Sequence, residues 1–301
     1  MSKQQRIALT ELFRRLPFNI HEDPAVQRPA MEAALTAIPL PPDVTTTPGV
    51  LGGVPVLRID VDGVDTSRVL VHFHGGVYVL GSARAGAGLA ANLGRNAGVR
   101  VISVDYRLAP EHPYPAAIDD GVVVYRALLE HTPSTQIAVS GESADGGLAT
   151  ALLLRLKEAG LPLPAASAVL SPWVDLTLSG QSMADKASID PSVLTPEGLK
   201  IRVPDYLGDA DPKTPDISPI FADLRGLPPM LIQVGSHEIL LDDAVRLAAN
   251  AAAHDVDVRL EVGAELPHVF QAFAAVLDEG KAALSSAGNF LRTHLEPTNP
   301  A

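Results

Sequence analysis

The 301-residue chain predicts an α/β fold: a mostly parallel central sheet with helices on both faces, and a helical cap. Short aliphatic runs recur at residues 54–61, 69–73, 99–104, 137–139, 168–170, 230–234 and 256–262. Helix-length segments separate most of them, at 86–97, 116–131, 144–159 and 240–254, and a last one spans 281–295. Strands covered on both faces are near-continuously apolar, and parallel neighbours need a crossover that these helices supply. The third observation is a break in that rhythm. Residues 176–215 carry no strand-like run, are rich in Pro, Asp and Ser, and sit between two strands. An insertion placed there crosses the top of an open sheet and, with the N-terminal helices, forms the expected cap.

Composition narrows the function. Aromatics are only 4% against 47% hydrophobic residues, so aliphatic side chains and alanine must fill the core. A net charge of −12 repels phosphate backbones and anionic headgroups, which argues against a nucleic-acid partner and against a peripheral membrane role. The absence of cysteine excludes disulfides, thiolate catalysis, Cys-ligated zinc and iron–sulfur clusters. Arginines interrupt the apolar positions of the opening stretch, and no later apolar run reaches the roughly 18 residues that span a bilayer. A cytoplasmic protein without stable membrane insertion is expected.

In chain order, residues 1 to about 45 read as helical. Ile7, Leu12, Phe13 and Leu16, then Val26, Met31, Leu35 and Ile38, recur at helical spacing, and Pro39-Leu40-Pro41-Pro42 ends the region. The run 69–73 leads into His74-Gly75-Gly76-Val77, where consecutive glycines let backbone N–H groups converge on an oxyanion. His72 and His74 would share a strand face and could be read as a metal pair. No second His-x-His or H-x-x-E-H cluster accompanies them, so the glycine loop is the better use of His74 and no metal is expected.

The run from 137 ends in Gly141-Glu142-Ser143-Ala144-Asp145, followed at once by a helix. Strand, sharp turn and helix are what a nucleophile elbow requires, and the Ala144 amide would be free at the helix N-terminus. The plainer alternative is a Gly/Ser turn that merely starts a helix. Asp145 stands where the pattern has glycine. A carboxylate there would crowd the turn and oppose a developing oxyanion, so Asp145 is expected to lower turnover without abolishing it.

Glu238 follows the run 230–234, where a carboxylate can bind a histidine Nδ1–H, or can simply begin the next helix. His268 follows the last run, where a general base can reach back to Ser143; an isolated histidine there could also be a surface or packing residue. The order serine, acid, histidine is that of α/β-hydrolases.

Over roughly residues 54–295 the chain resembles the hormone-sensitive lipase family of bacterial esterases within the α/β-hydrolase fold. His74-Gly75-Gly76, Asp105-Tyr106-Arg107-Leu108-Ala109-Pro110-Glu111-His112-Pro113-Tyr114-Pro115-Ala116-Ala117, the elbow around Ser143, Ser171-Pro172-Trp173-Val174-Asp175-Leu176 and Pro267-His268-Val269 carry the resemblance. It implies a carboxylesterase acting on short-chain acyl esters through an acyl-enzyme, with Ser143 as nucleophile, His268 as base and Glu238 as acid. The Gly75, Gly76 and Ala144 amides would form the oxyanion hole. Relatives often have a third glycine where Val77 stands, a change a backbone donor tolerates. The resemblance further implies no cofactor, a small-molecule ester as partner, and pairing of two copies through an edge strand. It divides the chain into a cap segment at 1–45 and a catalytic domain at 46–301, with residues 176–215 adding to the cap. An amidase or deacetylase could use the same triad. A non-catalytic small-ligand receptor is the third reading, although such receptors have lost the histidine that is retained here as His268.

Overall fold

A computed structural model describes residues 3–17 and 19–295; the outer ends of the two expected segments, residues 1–2 and 296–301, lie outside the described residues. Helices α1 (Lys3–Arg14) and α2 (Pro24–Thr36) precede a single mixed sheet. Its strands are β1 (Val44–Leu51), β2 (Val54–Val61), β3 (Asp65–Phe73), β4 (Val99–Val104), β5 (Ile137–Glu142), β6 (Ala166–Leu170), β7 (Met230–Gly235) and β8 (Val258–Gly263). They lie in the order β1-β2-β4-β3-β5-β6-β7-β8. From β4 to β8 every neighbour is parallel, and β2 pairs antiparallel with both β1 and β4.

The intervening helices are α3 (Ala87–Ala97), α4 (Ala116–Leu129), α5 (Ala144–Glu158), α8 (Leu241–Ala253) and α9 (Asp278–His294). Alternation along each strand divides the core between the two faces. Val69, Val71 and Phe73 of β3 join the layer with α4, α5 and α8, whereas Leu70 joins the layer with α3 and α9. The sheet is therefore covered on both sides, as the apolar runs predict.

β1 is the element sequence reading passes over. Thr45, Thr46, Pro48, Gly49 and Val50 face solvent, so the strand has no apolar alternation to detect. Pro48 is tolerated because β1 is an edge. The hairpin to β2 turns through Gly52 and Gly53, both at positive φ (58° and 90°), as a tight two-residue turn requires.

The 176–215 segment contains helices and no strand: α6 (Ser182–Asp185) and α7 (Pro196–Leu207). It packs with the N-terminal helices into a helical cap, where Ile20 lies against Gly198 and His21 Nε2 is 2.8 Å from Thr195 Oγ1. The cap rests on loops that leave the carboxyl ends of the strands. Arg28 of α2 donates to Val79 O and Ala109 O, both at 2.7 Å, and grips Glu111 with two further bonds. That guanidinium holds the Glu111 carboxyl down at about 2. Among the described residues no helix is long and apolar enough to cross a membrane.

Candidate active site

The turn between β5 and α5 holds Ser143 at φ 59° and ψ −129°, a conformation non-glycine residues rarely adopt. Such strain persists only where surrounding contacts enforce it. A Cβ on Gly141 would meet Asp145 O at 2.0 Å, and one on Gly147 would meet Trp173 O at 2.2 Å. Gly146 and Gly147 thus provide the close helix approach that Asp145, in the usual glycine position, cannot.

His268 follows β8 and brings Nε2 to 2.9 Å from Ser143 Oγ. Its Nδ1 lies 2.6 Å from Glu238 Oε2. The carboxylate acceptor sets Nδ1 as the protonated nitrogen and leaves Nε2 able to receive the serine proton. Glu238 is fully buried in the loop after β7, where its Oε1 accepts from Ser171 Oγ at 2.8 Å and Gly235 N–H at 2.6 Å. Ser143 and His268 are nearly buried, with 6% and 9% of their surfaces exposed, so their hydrogen bonds act in a weakly screened setting. The three residues singled out from sequence therefore lie in one continuous hydrogen-bonded line.

The glycine loop departs from expectation at one atom. Gly75 N–H donates to Glu142 Oε1 at 2.9 Å and is already engaged. The chain then passes through positive φ at Gly76 (142°), Val77 (50°) and Tyr78 (64°). Among the described residues, the amides of Gly76, Val77 and Ala144 have no hydrogen-bond acceptor. With the Gly75 amide bound to Glu142, the open donors of this loop are the Gly76 and Val77 amides.

Both histidines are packed into the strand end that leads to the glycine loop. His72 bonds Ser140 through Nδ1 and meets Glu142 through Nε2. His74 is stacked on Tyr106 with ring centres 4.7 Å apart, and burial pushes its pKa down. Among the described residues no three His, Asp or Glu side chains converge as metal ligands.

Asp145 is fully buried, and burial pushes its carboxyl well above the ordinary range, with the nearby Tyr106 hydroxyl offsetting only part of the effect. Its neutral form is favoured, which removes the charge that would oppose an oxyanion. Two contributors carry no motif signal of their own. Ser171 binds Glu238 from the loop after β6, and Asp190 of the insertion accepts from Ile239 N–H at 2.9 Å. The run at 171–176 bears on the first only through the family resemblance.

A family profile described as "alpha/beta hydrolase fold" matches residues 70–272. An acetyl-hydrolase of Streptomyces hygroscopicus is 43% identical over 227 residues, covering 75% of this chain and 76% of that protein. An esterase of Acinetobacter venetianus is 38% identical over 278 residues, covering 92% and 91%. A crystal structure of an esterase from the bacterial hormone-sensitive lipase family superposes with a TM-score of 0.94 at 40% identity, covering 98% of this chain and all of the other. EstE5, in crystals soaked with p-nitrophenyl butyrate, superposes with a TM-score of 0.92 at 35% identity, covering 98% of this chain and 99% of the other. The chain belongs to the bacterial hormone-sensitive lipase family of esterases within the α/β-hydrolase fold, and it is a carboxylic ester hydrolase.

Proposed function

We propose that this carboxylesterase hydrolyses short-chain acyl esters with Ser143 as nucleophile, His268 as general base and Glu238 as the acid that orients it. The unbroken line Ser143–His268–Glu238, with links of 2.9 and 2.6 Å, carries the reading. His268 Nε2 takes the hydroxyl proton as Ser143 Oγ attacks the carbonyl carbon. The carbonyl oxygen becomes an oxyanion beside the Gly76 and Ala144 amides, with Val77 N–H as a further donor in place of Gly75 N–H. The C–O bond then breaks and the imidazolium returns its proton to the leaving alcohol. Water, deprotonated by His268, attacks the acyl-enzyme in turn, releasing the acid and restoring Ser143. The protein needs no cofactor for these steps.

A short acyl group is supported by the soak of a structural relative with a butyryl ester and by relatives described as acetyl-hydrolases. That second description also favours acetyl removal from an amine as an alternative, which parallel rates on an acyl ester and its matching anilide decide. We further propose a cap formed by residues 1–45 and 176–215 over a catalytic domain at 46–301, a cytoplasmic location, and a homodimer. Edge strand β8, with Val262 47% exposed, is the surface for pairing, and light scattering after size exclusion tests it.

The deciding experiment is hydrolysis of p-nitrophenyl butyrate by wild type and Ser143→Ala. Where these residues act as a unit, loss of the nucleophile lowers kcat on the order of 10⁶-fold. Equal rates in the two proteins would reject Ser143 as the nucleophile.

A further inference from the structure

We propose that Glu142 and His72 are positioning residues that hold the glycine loop against the nucleophile, an inference that rests on the catalytic reading above. β3 and β5 are parallel neighbours whose register pairs His72 with Ser140 and Phe73 with Gly141. Beyond that point Ser143 N–H turns toward Leu170 O of β6, so no backbone ladder joins the loop to the elbow. Side chains take over the pairing. Ser140 Oγ lies 2.8 Å from His72 Nδ1, and His72 Nε2 lies 3.0 Å from Glu142 Oε2. The other carboxyl oxygen accepts Gly75 N–H at 2.9 Å, which closes the lacing across the two strands.

His72 and Ser140 are wholly buried and Glu142 is 8% exposed. A charge in that position is costly unless it is compensated. Burial opposes the Glu142 carboxylate, but His72, the Gly75 amide and His74 outweigh it and keep its pKa below the ordinary range. An anion so close to an oxyanion site would be a liability unless its acceptor oxygens were occupied. Oε1 accepts the Gly75 amide, and Oε2 lies 3.0 Å from His72 Nε2, a contact that becomes an ion pair when the imidazole is protonated.

The consequence is geometric. Gly75 packs so tightly on this pair that a Cβ there would lie 3.2 Å from Glu142 Cγ and 3.4 Å from Ser143 Cβ. Fixing the Gly75 amide fixes where Gly76 and Val77 point, because they are the next residues along a loop of positive φ. Glu142 thus sets the separation between the nucleophile and its neighbouring oxyanion donors without touching substrate. It does so from the position immediately before Ser143, so displacement of one part is felt by the other.

Glu142→Ala and Glu142→Gln separate this role from simple packing. We measure kcat and KM on p-nitrophenyl butyrate, and inhibition by an alkyl trifluoromethyl ketone, which forms an oxyanion on Ser143, and by the matching secondary alcohol, which does not. Glu142→Ala is expected to lower kcat by about 10–100-fold with KM within about threefold, since oxyanion donors act in the transition state. Ketone affinity should fall in parallel while alcohol affinity holds. Glu142→Gln still presents an oxygen to Gly75 and should recover kcat to within about fivefold of wild type. A folded Glu142→Ala protein with wild-type kcat overturns the proposal, as does equal weakening of ketone and alcohol, or a folded Gln variant no better than the Ala variant. Should Glu142→Ala not fold, Ser140→Ala, which only frees the His72 ring, must show the same selective loss of ketone affinity, and its absence overturns the proposal. Ser143→Ala is run alongside: hydrolysis surviving there rejects the catalytic reading itself, whereas an inactive Ser143→Ala beside an unimpaired Glu142→Ala rejects the positioning role alone.

Discussion

Ser171 Oγ donates to Glu238 Oε1 at 2.8 Å and accepts Val269 N–H at 3.0 Å, so one hydroxyl ties the proposed acid to the segment carrying His268. Removing a buried hydrogen bond to a charged group costs about 1.5–3 kcal/mol, and the acid and base would lose a common anchor. Ser171→Ala should therefore lower kcat/KM by about tenfold or more. Steady-state kinetics on a butyryl ester check it, and an unchanged rate would leave the hydroxyl with packing alone.

The insertion grips the backbone of Ile239, the residue after Glu238, at both its N–H and its carbonyl. Asp190 Oδ2 accepts Ile239 N–H at 2.9 Å, and Ser182 Oγ donates to Ile239 O at 2.6 Å. Asp190→Ala should lower kcat by about threefold to tenfold as the acid loop loosens, because a net hydrogen bond is worth about 1 kcal/mol and a charged acceptor more. Faster amide exchange at Ile239 should accompany the loss, and unaltered exchange would separate the insertion from the acid.

Asp145 is expected to be nearly silent in turnover. Burial favours its neutral form, so the expected repulsion of an oxyanion does not arise. Asp145→Asn, which mimics that form, should keep kcat within about twofold of wild type near neutral pH. A several-fold rise in kcat in the Asn variant would mean that the carboxylate is charged and opposes the reaction after all.

Asp243 should make stability depend on pH. Burial raises its carboxyl to about 8, against the pull of Val174 and Asp175 amides at 2.8 and 2.9 Å. An unfolded carboxyl titrates near 3.9, so between about pH 4 and pH 8 the folded chain binds the extra proton. This contribution is full below about pH 4 and is lost as pH rises toward 8. Asp243→Asn keeps an oxygen for both amides and cannot ionise, so its thermal midpoint should decline less than that of wild type over the window. Parallel midpoint curves for the two proteins would count against the assignment.

The sheet was legible because its strands are hidden on both faces. Val99–Val104 and Met230–Gly235 show as apolar runs, whereas β1, whose side chains mostly face water, shows nothing. Ser143, Glu238 and His268 could be singled out because each follows a strand and precedes a helical turn. What joins them could not be read. The Ser171–Glu238 bond spans 67 positions and exists because β6 and β7 run in register with Leu170 opposite Gln233. Capture of the Gly75 amide likewise depends on the register of β3 against β5, which no local pattern encodes. The state of Asp145 follows from burial, and burial is a property of the folded whole.

Leu9 and Phe13 of α1 pack with Leu266, Phe270 and Leu277 in an apolar cluster separate from the two that cover the sheet, and Phe13 meets Phe273 edge-on at 5.0 Å. The loop bearing His268 thus shares part of its packing with a short N-terminal helix. Regions held by few buried contacts open at lower free energy than the core does. On heating, detachment of α1 would release the base while the sheet is still intact. Loss of esterase activity at a lower temperature than loss of folded structure is the expected signature of that detachment.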